Sequence, residues 1–249
     1  MSVFFFLIGS ITASFICCMV ERTLKGDSLL GRSHCDYCGH VLHPSDLLPV
    51  LSYLFLKGHC RYCGRQISIW LFFFELSGGC LFMALFQWYG FNVLLYRYLI
   101  FFSILMAIAY HDMLSFQIPD VLLIILILNR IIFYQSSDSF FYVFTRAFFM
   151  PLFLLFFSLL FYLVRKKQPM GFGDIKLFYV LGCYFSIEKT ILILFVACLT
   201  GMIYCLVFQR KKALQPFPFV PFIYIGTLLS VFFGQHLITW YLLRIAQHP

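Results

Sequence analysis

The chain has 249 residues, of which 62% are hydrophobic and only 11% charged, with a mean hydropathy of +0.93. A soluble domain carries about 25% charged residues, so a water-soluble globular protein is excluded and a polytopic membrane protein is indicated. The net charge of +8 falls in loops beside apolar runs, where it meets anionic membrane lipid; no basic arm or basic helix face supports a nucleic-acid partner.

In chain order, apolar runs fall near residues 3–20, 70–90, 94–111, 119–134, 141–163, 175–187, 190–208 and 220–243. Most approach the roughly 20 residues that a helix needs to cross a bilayer. The expected fold is therefore an all-α polytopic membrane protein of about eight transmembrane helices. Residues 1–20 form the first span, 21–69 a small cytosolic zinc-binding loop domain, and 70–249 a transmembrane helical core. The first run has no basic residues ahead of it, and Arg22 and Lys25 follow it, so it reads as a retained span and not as a cleaved signal peptide.

Orientation follows from the basic residues. Arg22, Lys25, Arg32, Lys57, Arg61 and Arg65 lie in segment 21–69, Arg165, Lys166, Lys167 and Lys176 in 164–176, and Arg210, Lys211 and Lys212 in 209–218. The opposite side holds only Arg97, Arg130, Arg146, Lys189 and Arg244. Thirteen against five places the three basic segments in the cytosol and both termini outside, which an even number of spans satisfies. The break at 112–118 falls on the cytosolic side as well.

The loop 21–69 carries Cys35-Asp36-Tyr37-Cys38 and Cys60-Arg61-Tyr62-Cys63, with 21 residues between the pairs. Two CxxC pairs at this separation are the spacing of a four-cysteine zinc site, because each tight turn supplies two soft ligands to a tetrahedral ion. Gly39 and Gly64 directly follow the pairs and suit such turns. Reduced, unliganded cysteines are the bland alternative; a cytosolic setting disfavours disulfides. His34 and His59 stand beside the pairs as substitute ligands. A loop this small has little core, so metal binding would contribute on the order of 10 kcal/mol to its folding. Cys17, Cys18, Cys80, Cys183, Cys198 and Cys205 fall in apolar runs and read as small packing residues.

Two aspartates sit in short breaks between apolar runs. Asp112 lies in His111-Asp112-Met113-Leu114-Ser115-Phe116-Gln117-Ile118-Pro119-Asp120, and Asp174 in Gly171-Phe172-Gly173-Asp174-Ile175-Lys176. A carboxyl pair can activate water against a peptide bond, one group accepting a proton while the other donates one. The bland readings are helix chemistry. Asp174 precedes an apolar run it could cap, and Asp120 after Pro119 is an ordinary helix start. Asp112 ends a run, where the helix dipole disfavours an anion. The residues alone leave both readings open. Glu75, inside the second run, is expected to face the bundle and pair with a polar group.

These motifs together resemble the type IV prepilin peptidases, aspartic proteases of the GxGD class. Gly171-Phe172-Gly173-Asp174 followed by Lys176-Leu177 is similar to the family's GxGDxKL, and Asp112, five residues, then Ile118-Pro119-Asp120 to its D-x5-IPD segment. The CxxC pairs resemble its cytosolic zinc loop, Asp46-Leu47-Leu48-Pro49-Val50-Leu51-Ser52-Tyr53 its DLIPVLSY pattern, and Pro218-Phe219-Val220-Pro221-Phe222 its PFGPF segment. The match covers most of the chain. The resemblance implies a bacterial cytoplasmic membrane enzyme that cuts the leader from type IV prepilins or pseudopilins at the cytosolic face. It also implies N-methylation of the new terminus with S-adenosylmethionine, and a structural Zn2+. Asp112 and Asp174 would be the catalytic pair, one protonated and one ionised. Gly171 and Gly173 would let a substrate backbone approach, and prepilin helices would dock between spans. The chain departs from the family pattern where Cys17 replaces an Asn, Leu24 a Pro, Trp70-Leu71-Phe72 an RYP-like tripeptide, and Val220 a Gly. None of these is expected to touch the proteolytic motifs; they lie near or beside the zinc loop and bear on methylation more than on cleavage. Two rivals stand beside this reading. One is a GxGD intramembrane protease acting on another substrate without methyl transfer, against which the zinc loop argues. The other is a non-enzymatic zinc-bearing scaffold, which would need no acid pair on one face.

Overall fold

The computed structural model describes residues 1–29, 31–134, 139–166, 170–208 and 217–246. Lys167, Arg210, Lys211 and Lys212, which contribute to the charge bias, lie outside the described residues. The described residues are helical, with no strands: α1 (Ser2–Lys25), α2 (Leu51–Phe55), α3 (Ile69–Tyr89), α4 (Val93–Ser115), α5 (Asp120–Ile132), α6 (Phe140–Arg146), α7 (Phe149–Arg165), α8 (Phe172–Tyr184), α9 (Ile187–Phe208) and α10 (Val220–Ala246). Six stretches are long and apolar enough to cross a membrane: α1, α3, α4, the α6–α7 stretch Phe140–Arg165, α9 and α10. This is a multi-pass membrane protein. The two remaining apolar runs form α5 and α8, of 13 residues each. At 1.5 Å per residue each extends about 20 Å, short of the roughly 30 Å hydrocarbon core.

The chain forms two compact units, Met1–Ala107 and Ile108–Pro249. In the first, α1 and α3 pack through small residues. A Cβ on Gly78 would lie 2.7 Å from the Ala13 Cβ and 2.8 Å from the Gly9 carbonyl oxygen. Gly9 and Ala13 are one helical turn apart, so the backbones approach as in small-xxx-small membrane pairs. Phe5 stacks on Phe86 at 4.3 Å beside this contact.

In the second unit, α5 and α8 are joined by buried polar bonds. The Tyr184 hydroxyl donates to the Leu126 carbonyl at 2.7 Å, and Arg130 Nε donates to the Cys183 carbonyl at 2.9 Å. Such bonds satisfy groups that lipid could not. The single run expected at 141–163 is broken between α6 and α7 at Ala147 and Phe148. Pro151 explains the break, because it lacks the N–H that would bond the Ala147 carbonyl. Gly182 of α8 packs at this corner, where a Cβ would come within 2.9 Å of the Ala147 Cα.

Candidate active site and cysteine cluster

The sequence places Asp112 in a break after a helix, but α4 runs on to Ser115, so Asp112 lies in its last turn. The helix ends at Phe116, which has φ 56° and whose N–H donates to the Asp112 carbonyl at 2.9 Å. His111 fastens this corner. Its Nδ1 donates to the Gln117 carbonyl at 2.8 Å, and the Ser115 hydroxyl donates to the His111 carbonyl at 2.9 Å. The Asp112 residue is only 6% exposed. A carboxylate at a helix C-terminus is disfavoured by the dipole, and here another helix offsets it. The N–H of Val220, the first residue of α10, donates to Asp112 Oδ2 at 3.0 Å, and the Phe219 N–H adds a second bond. An anion at a helix N-terminus meets both unpaired N–H groups and the positive end of the dipole.

Asp174 is the third residue of α8, whose N-cap is Gly171. Its carboxyl accepts the Gly171 N–H, the third-residue half of a capping box. The helix-start reading of Asp174 therefore holds for its hydrogen bond. Burial first and the charge of Asp112 second raise the Asp174 carboxyl to about 7, against the Gly171 bond, which lowers it. The fold thus places Asp112 near enough for its charge to act on Asp174.

The segments carrying the aspartates are joined at two further points. Lys176 Nζ pairs with Asp120 at 2.8 Å, on the exposed face of both residues. A Cβ on Gly173 would meet Ile118 at 3.1–3.3 Å, so the absent side chain at 173 admits Ile118. Gly171 is exposed, and a Cβ there would lie 3.4 Å from Asp174 Oδ2. The part played by Val220 is missed by residue-type reasoning, since the donor is backbone. The signal available was the proline-flanked Pro218-Phe219-Val220-Pro221-Phe222 itself, a segment set to start a helix.

In the first unit the four thiols of Cys35, Cys38, Cys60 and Cys63 all lie within 4.8 Å of one another. The Cys35–Cys63 sulfur separation is 3.9 Å, and zinc–thiolate bonds of about 2.3 Å at tetrahedral angles put sulfurs about 3.8 Å apart. The donor set fits zinc. Each pair sits on an equivalent turn: the Gly39 N–H donates to the Cys35 carbonyl and the Gly64 N–H to the Cys60 carbonyl, both at 2.9 Å. Gly39 and Gly64 hold φ 68° and 69°, which a Cβ would strain. The backbone N–H groups of Cys38 and Tyr37 draw the Cys35 thiol down to about 7, the direction that favours a thiolate ligand. His34 and His59 instead close the turns through bridges to Val41 and Gln66.

The chain matches the family model of the bacterial peptidase A24 N-terminal domain over residues 7–89 and that of the type IV leader peptidase family over residues 99–206. It is 31% identical over 245 residues to a prepilin leader peptidase/N-methyltransferase of Bacillus subtilis (strain 168), covering 95% of this chain and 96% of that protein. It is 30% identical to a protein of the same name from Legionella pneumophila, covering 89% and 79%. A third, from Dichelobacter nodosus, is 30% identical, with 84% and 73% covered. No solved structure matches at a significant level. Two matching family models in tandem, and relatives aligned over nearly the whole length, give the chain its place: it belongs to the type IV leader peptidase family.

Proposed function

We propose that this chain is an aspartic endopeptidase of the bacterial cytoplasmic membrane that removes the leader of type IV prepilins or pseudopilins and N-methylates the freed terminus. The observation that carries the proteolytic half is the pairing of two buried carboxyls in unlike settings. Asp112 accepts a bond from the backbone N–H that opens α10. Asp174 is pushed up to about 7 by burial and by the charge of Asp112, which leaves a large protonated fraction at neutral pH. In this reading Asp112 takes a proton from water as the oxygen attacks the scissile carbonyl. Asp174 donates its hydrogen bond to the developing oxyanion. When the C–N bond breaks, the proton held on Asp112 passes to the leaving amine and the pair returns to its one-proton state. Exposed Gly171 leaves room for the substrate backbone beside Asp174, and Gly173 lets the two motifs close on one another.

The cysteine cluster would hold Zn2+ as a structural ion, fixing the loop; no step runs through it. S-adenosylmethionine, the methyl donor that the relatives' N-methyltransferase name implies, would supply the methyl group for the freed terminal amine. The partners are prepilin helices and membrane lipid. The charge bias supports a topology with both termini outside and the acid pair at the cytosolic face, which requires the short helices α5 and α8 to cross as well, with the local membrane thinning that short spans impose. The test is reconstitution of the full chain in liposomes with a prepilin carrying a short basic leader. Mass spectrometry of the product should show both leader loss and an added methyl on the new terminus. An uncut substrate would overturn the reading, and a cut but unmethylated one would reduce it to a peptidase.

A further inference from the structure

The packing of α1 on α3 fixes the level of one membrane boundary in the first unit. α3 is a span of 21 residues, about 31 Å at 1.5 Å per residue, just enough for the roughly 30 Å hydrocarbon core. Its first residue, Ile69, therefore stands at a boundary. α1 gives the same level independently. It runs antiparallel to α3, with Gly9 on Gly78 and the Ser14 hydroxyl bonded to the Glu75 carboxylate. Six residues on from Ser14 and six back from Glu75, Val20 stands opposite Ile69. α1 carries no Asp, Glu, Lys or Arg up to Val20 and then reads Glu21, Arg22 and Lys25. Its charged end projects past the boundary.

The segment 47–55 lies on the lipid side of that level. The Val50 N–H donates to Glu75 at 2.7 Å, and the Tyr53 ring centre is 5.1 Å from that of Phe72. By their places in α3, Glu75 and Phe72 are about 9 Å and about 4.5 Å inside the boundary. The first cysteine turn lies beyond it, because Asp36 pairs at 2.9 Å with Lys25, the last residue of α1. The segment is also two-faced. Val50 is buried, and Tyr53 turns to Phe72. Leu47, Leu48, Leu51, Leu54 and Phe55 are exposed, Phe55 by 81%. Leu51, Leu54 and Phe55 share one face of α2. Five large apolar side chains exposed together form a patch that a water-facing surface rarely carries. At this depth its neighbours are acyl chains. Lys57 follows, exposed, with a stem long enough to bring its ammonium to the head groups.

We propose that residues 47–55 are an interfacial segment, which inserts its leucines and Phe55 among the phospholipid acyl chains of the leaflet on the zinc-loop side and sets Lys57 at the phosphates. The segment does not cross, since α2 has only five residues. Its depth matches the roughly 5–10 Å to which amphipathic helices sink in an interface. The cysteine loop is thereby moored to the bilayer by lipid as well as by α1 and α3.

Full-length, zinc-loaded protein carries the photoreactive p-benzoylphenylalanine in place of Phe55, whose exposure leaves room for the larger side chain. A second preparation carries it in place of Tyr37, in the first cysteine turn, as the aqueous control. Both are reconstituted in liposomes of phosphatidylcholine and phosphatidylglycerol, irradiated, and weighed as intact protein. Lipid adducts at position 55 should exceed those at 37 by about fivefold or more, as for a side chain held within the leaflet. Equal yields at the two positions overturn the proposal. A chain-to-chain adduct at 55 in place of lipid makes the patch a surface for a second copy and overturns it too. Depth is read separately, with a fluorescent acridonylalanine at 55. Quenching by lipids brominated on the acyl chain, and protection from aqueous iodide, support insertion. Iodide quenching equal to that of the same fluorophore at 37 places the segment in water and removes the anchor.

Discussion

Asp112 and Val220 lie 108 positions apart in the chain and share a 3.0 Å hydrogen bond from the backbone N–H of one to the carboxylate of the other. The bond ties the last turn of α4 to the first residue of α10, so the dipole of the second helix offsets the unfavourable end of the first. Val220→Pro tests it directly. Proline is tolerated at the first position of a helix but has no N–H to give. A hydrogen bond to a charged group contributes about 1.5–3 kcal/mol, so leader cleavage should fall roughly 10- to 100-fold in Val220→Pro. Val220→Ala keeps the donor and should stay within a few-fold of wild type. Equal activity in the two variants would show that the N–H does not matter to the reaction.

The pH dependence follows from Asp174. Its carboxyl is raised from the usual carboxylate range to about 7, first by burial and then by the charge of Asp112. A raised acid keeps its proton below that value and loses it above. If Asp174 works in its protonated form, cleavage should decline as pH rises through about 7, by roughly tenfold per unit once the carboxyl is ionised. The measurement is the initial rate of leader cleavage from pH 5.5 to 9 in detergent at constant ionic strength. A rate still climbing at pH 9 would assign the protonated role elsewhere.

For the cysteine cluster, metal analysis of freshly purified, reduced protein should give about one zinc per chain. Replacing Cys35 and Cys60 by Ser should abolish it, because each pair would then retain a single thiolate. Asp46 provides a check that the loop depends on the ion: its carboxylate accepts the Tyr62 hydroxyl at 3.0 Å and pairs with Arg61 at 3.0 Å, both residues of the second turn. Chelation should free that turn, and proteolysis near Arg61 and Arg65 should become faster on zinc removal. Metal-free protein with unchanged protease resistance would refute the assignment.

How much was legible in the sequence depended on whether side chains or backbone carried the information. Cys35, Cys38, Cys60 and Cys63 announce themselves because ligand chemistry restricts residue type and spacing, and the structure gathers all four. Asp112 and Asp174 stand out because acids are rare in apolar surroundings. The extension of α4 through Asp112 was not readable, because hydropathy falls at His111 although the helix continues until Phe116 turns it. The break between α6 and α7 needed Pro151 to be weighed against an unbroken apolar run. The Val220 N–H leaves no residue signature, since any residue but proline could donate it. Glu75 was expected to pair with a polar group, and it accepts both the Ser14 hydroxyl and a backbone donor, the Val50 N–H.

The two aspartates should behave as one unit. Asn matches Asp in shape but can neither accept the proton from water nor donate as an acid, so Asp112→Asn and Asp174→Asn should each reduce leader cleavage by at least about 1,000-fold. The double variant should be little worse than either single one, because residues that share a proton and a water are not additive. Folding is scored separately, by zinc content and membrane insertion, which depend on neither side chain. Asp120 is the control in the same motif. Its pair with Lys176 is exposed on both sides, 63% for Asp120 and 55% for Lys176, and such pairs contribute about 0–1 kcal/mol. Asp120→Asn should therefore cleave within about fivefold of wild type. Near-normal cleavage by either Asp112→Asn or Asp174→Asn would remove that residue from the mechanism. Loss of cleavage in Asp120→Asn, with activity kept in Asp112→Asn, would move the first catalytic carboxyl from the end of α4 to the start of α5.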